Sequence, residues 1–149
     1  MPKLTIELVP KGQWGANLRS ELPKSEWDRL RRATYAKAGH RCEICGGRGP
    51  KWPVECHERW RYDEETKVQH LEGLIALCPS CHRVKHMGRT MSIGQGDAAM
   101  RQLMKVNGWS HSDAVHYVEA AFETWARRSR ERWTLDLSWL ETEKDEEVK

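Results

Sequence analysis

Two pairs of cysteines with the spacing Cys-x-x-Cys constrain this chain more than any other feature. The first pair is Cys42 and Cys45, and the second pair, Cys78 and Cys81, follows about thirty residues later. A tetrahedral zinc ion takes four soft ligands, and each short pair offers two thiolates from one turn of the chain. With 149 residues and 38% hydrophobic content, the chain has a lean core that a bound ion would help to stabilise. The four cysteines therefore predict a structural zinc site.

A second group of potential ligands lies between the cysteine pairs and just after them. His82 and His86 are four residues apart, so a helix that follows Cys81 would place both imidazoles on one face. Cys56 and His57 lie midway between the pairs, and closure of the zinc site would fold this segment back toward that helix. We therefore expect a second metal centre. A structural role for the two histidines, in capping or in a closed zinc site with Cys56 and His57, stays open.

The amino-terminal part, residues 1–39, is expected to combine a short strand, a loop and a basic helix. Partial alternation of apolar and polar residues over 3–9 indicates the strand, which Pro10 ends. Ser25 can cap the helix, and Gly39 ends it.

The central part, residues 40–90, is expected to hold the metal ligands. A strand over residues 52–57 would present His57 at its end, and a charged excursion follows over residues 58–65. The helix that carries the two later histidines is expected to stop at Gly88.

The carboxyl-terminal part divides into a helical extension, residues 91–140, and an acidic tail, residues 141–149. Residues 97–106 have a helical pattern, and Ser110 or Ser112 can cap a second helix. The apolar stripe of that helix is interpreted as a packing surface.

Charge and composition limit the classes of partner. The net charge is +3, and the last nine residues hold five acidic and two basic side chains, so the remainder carries +6. A basic body fits a nucleic-acid partner. We find no apolar run that could span a membrane and no signal-peptide pattern, and the paired cysteines favour metal in a reducing compartment. A cytoplasmic protein without a membrane partner is the expectation.

Basic side chains expected to contact a nucleic-acid backbone lie on three of the predicted helices. They are Arg29, Arg32, Arg83, Lys85, Arg127, Arg128 and Arg130. Solvated helix faces and charge that complements a helix carboxyl terminus are the alternatives. Most of the eight tryptophans are interpreted as packing residues rather than as platforms for base stacking.

Three motifs in this order suggest a family. Cys42-x-x-Cys45, Cys56-His57 and Leu77-Cys78-Pro-Ser-Cys81-His82-x-x-x-His86 resemble the motifs of HNH endonucleases, specifically the four-cysteine type in which zinc holds together a ββα-metal motif. The resemblance covers roughly residues 40–88. It implies an α+β fold with a small zinc-stapled ββα-metal core, flanking helices and a helical carboxyl-terminal extension.

The resemblance also implies a role for each residue of the site. His57 stands at the position of the general base that deprotonates an attacking water. Cys56 stands where the family has a metal-binding histidine or aspartate, and His82 and His86 complete the site of the catalytic ion. An anionic phosphodiester needs such an ion together with a neutral imidazole near pH 7. The ion could be Mg²⁺, Mn²⁺, Ni²⁺ or Zn²⁺, of which imidazole ligands suit magnesium least.

Two positions depart from the family pattern. Gly73 stands where the family has its middle asparagine, and it has no side chain to orient the base. The Cys56 thiolate favours a closed zinc site over an exchangeable catalytic ion. Glu58, which adjoins the proposed base, is the first choice for a compensating catalytic carboxylate. The other candidates are Glu55, Asp63 and His70.

The function expected from these residues is that of a metal-dependent HNH endonuclease or nickase. It would act on double-stranded DNA with low sequence specificity, because no dedicated base-reading module is visible. The alternative is a catalytically degenerate zinc module that binds nucleic acid or a protein partner. The physiological substrate stays open, as does formation of a homodimer that cuts both strands, and nicking of one strand is the simpler expectation.

Overall fold

The computed structural model of the chain describes residues 2–148, with side chains through Glu143. Within that range, seven α-helices and one three-stranded sheet form a mixed α+β fold, which confirms the predicted fold class at this level. The strands are β1 (Glu55–Asp63), β2 (Val68–Leu77) and β3 (Thr134–Asp136). The helices are α1 (Leu18–Glu21), α2 (Lys24–Lys37), α3 (Pro79–Lys85), α4 (Met87–Ser92), α5 (Gly96–Asn107), α6 (His111–Ser129) and α7 (Trp139–Val148).

The sheet is built on an antiparallel hairpin of β1 and β2, and β3 adds to the free side of β2 in parallel orientation. His57 on β1 pairs with Ile75 on β2. The Asp63 carboxylate closes the hairpin turn, because it accepts hydrogen bonds from the N–H groups of Glu65 (3.0 Å) and Thr66 (3.1 Å). Aspartate favours turns through bonds of this kind.

The first strand lies further along the chain than the sequence predicts. The expected strand over 52–57 and the expected excursion over 58–65 are both wrong, since one continuous strand, β1, occupies most of this region. His57 therefore lies near the start of the strand. The charged residues fit a strand because Trp60 packs into the interior while Arg61 stays exposed and pairs with a carboxylate of β2.

Two hydrophobic cores lie beside the hairpin. The first core contains Leu4, Ile6, Cys42, Leu77, Cys78, Cys81, Val84, Met87, Ala99, Leu103, Ala114, Val118 and Ala121. The second core contains Leu18, Trp27, Leu30, Leu71 and Leu140. Strand β2 contributes Leu77 to the first core and Leu71 to the second, so the hairpin joins the two.

The predicted strand over residues 3–9 is wrong. This segment is extended but pairs with no strand in the described part of the chain, and other groups satisfy its backbone. The N–H of Ile6 donates to the Tyr117 hydroxyl (2.9 Å), and the N–H of Glu7 donates to the Lys85 carbonyl (3.0 Å). The segment thus runs between α3 and α6 and brings Glu7 beside the middle of the chain.

Several predicted helix boundaries differ from those observed. Helix α2 follows Pro23 without the side-chain cap expected from Ser25, whereas its predicted end at Gly39 is confirmed within one residue. Helix α3 ends before His86, whose φ of −104° and ψ of 46° interrupt the helical backbone. Gly88 does not stop a helix, because it lies inside α4.

The carboxyl-terminal helices follow the sequence pattern closely. The Ser110 side chain caps α6 by accepting the N–H of Asp113 (3.1 Å), as predicted. The acidic tail expected over residues 141–149 continues α7 as far as Val148, and residue 149 lies outside the described range. Within residues 2–148, none of the helices combines the length and apolar character needed to cross a membrane.

Candidate metal centres

Four cysteine sulfurs lie within 4.8 Å of one another, and we call these residues the cysteine cluster: Cys42, Cys45, Cys78 and Cys81. The first pair sits in a tight turn before the hairpin, and Gly46 allows this turn because its φ is +77°. The second pair opens α3, where Pro79 suits the first helical position. All of the cysteines are free, including Cys45 and Cys78, whose sulfurs are 3.6 Å apart.

Each sulfur of the cysteine cluster has a hydrogen-bonding group close by. N–H groups point at Cys42 Sγ from Cys45 (3.5 Å), at Cys45 Sγ from Gly47 (3.4 Å), at Cys78 Sγ from Cys81 (3.5 Å) and at Cys81 Sγ from Gln102 Nε2 (3.3 Å). Donors of this kind stabilise thiolates and orient them as ligands. The predicted grouping is confirmed, and the four cysteines could hold a metal ion such as zinc.

The pKa values of two of these thiols also favour binding of a cation. A hydrogen bond from the Cys81 thiol lowers the pKa of Cys42 to about 4. Burial, helped by the negative charge of Cys42, raises the pKa of Cys78 to about 11. The negative charge of one thiolate therefore disfavours ionisation of a neighbouring thiol. A bound divalent cation would offset this repulsion.

Three histidines form a second group, which we call the histidine cluster: His57 from β1, His82 from α3, and His86 at the carboxyl end of α3. One ring nitrogen from each lies within 4.8 Å of the others. The ring centroids are 4.8 to 5.2 Å apart, and the Nε2 atoms of His82 and His86 are separated by 3.2 Å. Three converging imidazoles are a common donor set for zinc and related ions.

Carboxylates lie behind two of the three imidazoles. Glu55 Oε1 is 3.0 Å from Nδ1 of His82, and Glu7 Oε1 is 3.3 Å from Nε2 of His57. The other oxygen of Glu7 accepts the Tyr62 hydroxyl at 3.1 Å. A carboxylate on one ring nitrogen fixes the tautomer so that the other nitrogen carries the lone pair, as in metal-binding histidines.

The burial and hydrogen bonding of His57 and the pKa of His86 also favour binding of a divalent cation. His57 is only 3% exposed, and its Nδ1 has no hydrogen-bond partner among the described residues. An unsatisfied buried nitrogen costs roughly 1–3 kcal/mol, which coordination would relieve. Burial, together with repulsion from His82 and then His57, lowers the pKa of His86 to about 3, so this ring is neutral near pH 7. The histidine cluster therefore has the donors that a divalent ion requires.

The structure brings His82 and His86 together as predicted, and it places His57 beside them within ligand distance. Cys56 is not part of this group, so its prediction as a metal ligand is wrong. Its side chain packs against the second core, on the other face of β1, and burial raises the pKa of its thiol to about 12. The alternation of side chains along a strand separates it from His57.

Glu58 lines the cavity beside His57, and its predicted catalytic role stays a prediction. Its Oε1 accepts the N–H of Leu18 at 3.1 Å and so anchors the start of α1. The carboxylates that contact the imidazoles are Glu55 and Glu7 instead. Period-two alternation offered a signal for Glu55, which lies two residues before His57, whereas nothing in the sequence pointed to Glu7.

The other compensating residues have structural partners of their own. Asp63 closes the hairpin turn, and His70 Nδ1 lies 2.6 Å from Oδ2 of Asp136 on β3. At Gly73 a Cβ would lie 3.3 Å from the Arg59 guanidinium, the flexible end of an exposed side chain, so a side chain there would require a small shift of Arg59.

A cavity of about 720 Å³ adjoins the histidine cluster. His57 and His86 form part of its wall, and Lys85 and Arg89 contribute positive charge to the same wall. Most of the remaining lining is apolar or aromatic. A ligand in this cavity would therefore meet the imidazoles, two cations and flat rings.

The predicted nucleic-acid contacts are spread over three helices. Arg29 and Arg32 are exposed on α2, Arg127 and Arg130 are exposed at the end of α6, and Arg83 and Lys85 lie on α3 beside the histidine cluster. The Arg128 guanidinium packs on an aromatic ring and pairs with a carboxylate of the same chain. It lies 3.9 Å from the Tyr62 ring centroid and pairs with Glu64 at 2.7 Å.

No protein-family model, curated protein or solved structure matches the chain. The fold and the site define an α+β protein with a cluster of four cysteines and a cluster of three histidines at the two ends of one short helix.

Proposed function

We propose that this chain is a metal-dependent nuclease of the HNH type, with zinc in the cysteine cluster and a second divalent ion in the histidine cluster. The observation that carries the proposal is the convergence of three imidazoles, two of them held by carboxylates, beside a cavity whose wall includes Lys85 and Arg89. The order of elements supports it, since an antiparallel hairpin runs directly into the helix that carries His82.

The two clusters have different tasks. The cysteine cluster ties the turn before the hairpin to the first turn of α3, and so fixes the helix against the strands. A reducing cytoplasm would keep its thiols available. The histidine cluster faces the cavity, where a bound divalent ion would act as a Lewis acid toward a phosphodiester and activate a water molecule.

The residues around the ion then bind and orient the substrate. His57 serves as a ligand rather than as the separate general base that the family resemblance implies, because it is buried and grouped with the other two rings. Lys85 is held by a bond from Nζ to the Thr5 hydroxyl (2.8 Å), and Arg89 is exposed on α4. Their positive charges lie where the phosphate of a DNA strand would approach.

A second candidate function is a catalytically degenerate module that binds metal and nucleic acid without cleavage. Gly73 favours it, because no side chain is available where the family has asparagine and the Arg59 guanidinium covers the position. Both candidate functions involve the same bound metal ions, but only the nuclease cleaves DNA.

Nicking of supercoiled plasmid separates them. Purified protein with zinc in the cysteine cluster is incubated with Mg²⁺, Mn²⁺, Ni²⁺ or Zn²⁺, beside His86→Ala and the matched variant His116→Ala, whose histidine is exposed on α6. We expect ion-dependent nicking that His86→Ala reduces at least about 100-fold and His116→Ala leaves unchanged, in line with loss of a metal ligand.

Absence of nicking would contradict the nuclease proposal. If the wild-type protein binds an ion at the histidine cluster but nicks plasmid with none of the four metals, the nuclease proposal is wrong. Binding to DNA that persists and weakens with salt would then assign the chain to the degenerate module.

A further inference from the structure

Two indole rings line the cavity beside the histidine cluster. Trp14 and Trp125 stack with centroids 5.5 Å apart and planes inclined by 18°. Trp14 is 59% exposed, so this ring adds little to either core. Trp14 is therefore an exception to the interpretation of most tryptophans as packing residues.

The orientation of both rings is fixed by one backbone carbonyl. The Nε1–H groups of Trp14 and Trp125 each donate to the carbonyl oxygen of Val9 at 3.0 Å. Two stacked rings whose polar ends share one acceptor have little freedom to rotate, although one of them is mostly in solvent. This arrangement presents an aromatic face that is ordered before any ligand arrives, and such order lowers the entropic cost of stacking.

The charge around the rings selects the kind of flat ligand. Lys85 and Arg89 lie on the cavity wall with the indoles, and the histidine cluster opens onto the same space. Two carboxylates also reach the cavity, but both have internal partners: Glu7 contacts His57 and Tyr62, and Glu58 accepts the N–H of Leu18. The two carboxylates keep their negative charge beside these partners, so a ligand that fits the cavity places an anionic group at Lys85 and Arg89 and a flat ring on the indoles.

We infer that the cavity takes an unpaired base of a nucleic-acid strand, stacked on Trp14, with the adjoining phosphate directed to Lys85, Arg89 and the histidine cluster. The inference rests on the proposed function and narrows its substrate class to single-stranded or locally unpaired nucleic acid. It replaces the expectation of a fully paired duplex, because the base faces of a duplex are buried in its own stack and an indole cannot reach them.

Equilibrium binding without added divalent ions tests the inference independently of cleavage. Fluorescence anisotropy would compare a labelled single-stranded oligonucleotide, its blunt duplex, and an abasic strand with the same phosphates. The variants are Trp14→Leu, which keeps apolar surface without a ring, Trp14→Tyr, which keeps a ring, and Ile93→Ala as the control at another exposed apolar side chain. Ile93 is 56% exposed and does not line the cavity.

We expect the wild-type protein to bind the single strand more tightly than the duplex. Trp14→Leu should weaken single-strand binding by about 5- to 100-fold, the loss associated with one stacked base, while Trp14→Tyr keeps most of the affinity and Ile93→Ala all of it. The abasic strand should bind the wild-type protein and Trp14→Leu alike. Arg89→Gln should weaken all strands and reduce the dependence on salt.

Three results would overturn the inference: equal binding of single strand and duplex, wild-type affinity in Trp14→Leu, or a mononucleotide that competes as well as the strand. Plasmid nicking that persists alongside any of these leaves the proposed nuclease standing with a different substrate. Stacking that depends on Trp14 without any nicking would instead confirm the inference and reject catalysis.

Discussion

Glu55 and Glu7 each reach an imidazole of the histidine cluster through one carboxylate oxygen, whereas the neighbouring Glu58 holds a backbone N–H. Three glutamate side chains that lie on or beside β1 therefore make different contacts. The difference comes from the direction in which each side chain leaves the backbone, which neighbouring sequence positions alone do not specify.

Glu55→Gln tests the role of the carboxylate behind His82. We expect affinity for a second divalent ion to fall by about 10- to 100-fold, because the neutral amide orients the imidazole less well and lowers its basicity. The measurement is a cobalt titration of protein with zinc already in the cysteine cluster, followed by visible absorption. Glu58→Gln is the matched control and should bind cobalt like the wild type, since its amide oxygen still accepts the N–H of Leu18. Equal losses in the two variants would contradict the assignment.

The position of Cys56 predicts a thiol that resists alkylation. Burial raises its pKa to about 12, so at pH 8 roughly one thiol in ten thousand is ionised. Because the thiolate is the reactive form, the rate with iodoacetamide should rise about tenfold per pH unit, up to the pH at which the protein unfolds. Peptide mapping by mass spectrometry gives the rate, and protein unfolded in denaturant is the control that reacts readily. Fast alkylation of the folded protein at pH 8 would show that Cys56 is accessible and ionised.

At the scale of elements, the amino-terminal segment is held by side chains and by a backbone hydrogen bond from Glu7 to Lys85 rather than by a sheet. Asn107, the last residue of α5, accepts the N–H groups of Lys3 (2.8 Å) and Leu4 (3.0 Å) and donates to the Leu4 carbonyl (2.9 Å). The same segment carries Glu7 to His57, so the end of α5 also helps to position the histidine cluster.

Asn107→Ala should therefore weaken both the fold and the second metal site. Loss of these hydrogen bonds is expected to lower the free energy of unfolding by about 1–3 kcal/mol, measured by denaturant titration. Affinity for cobalt at the histidine cluster should fall as well. Lys105→Ala, an exposed change on the same helix, should alter neither quantity. If Asn107→Ala lowers stability but leaves cobalt affinity intact, Glu7 is positioned by other contacts.

For the whole molecule, the cysteine cluster belongs to the larger of the two cores, since Cys42, Cys78 and Cys81 are buried within it. Binding of a zinc ion there would contribute directly to folding. The histidine cluster would depend on that ion in turn, because the ion would fix the start of α3.

Removal of zinc should consequently affect the entire chain. We expect a chelator to lower the Tm markedly and to abolish cobalt binding at the histidine cluster, while His86→Ala abolishes only the second site and leaves the Tm nearly unchanged. Thermal unfolding by circular dichroism, with metal content determined by elemental analysis, measures both. If the protein loses its zinc and its Tm does not change, then zinc binding at the cysteine cluster does not stabilise the fold.

Much of the site followed from the sequence because its ligands lie close together along the chain. Two Cys-x-x-Cys pairs set their thiols by the geometry of a single turn, and the i, i+4 spacing of His82 and His86 kept both rings on one side of α3. The order of helices after residue 90 followed from periodicity and caps such as Ser110. These features depend on a few neighbouring dihedral angles, so the sequence determines them locally.

The tertiary structure alone decided which distant groups meet. Glu7 reaches His57 across fifty residues, and Trp14 stacks on Trp125 across more than a hundred. Both contacts depend on how the amino-terminal segment packs against the hairpin and α6. Such contacts come from burial and hydrogen bonding summed over the whole fold, and no local pattern of residues encodes them.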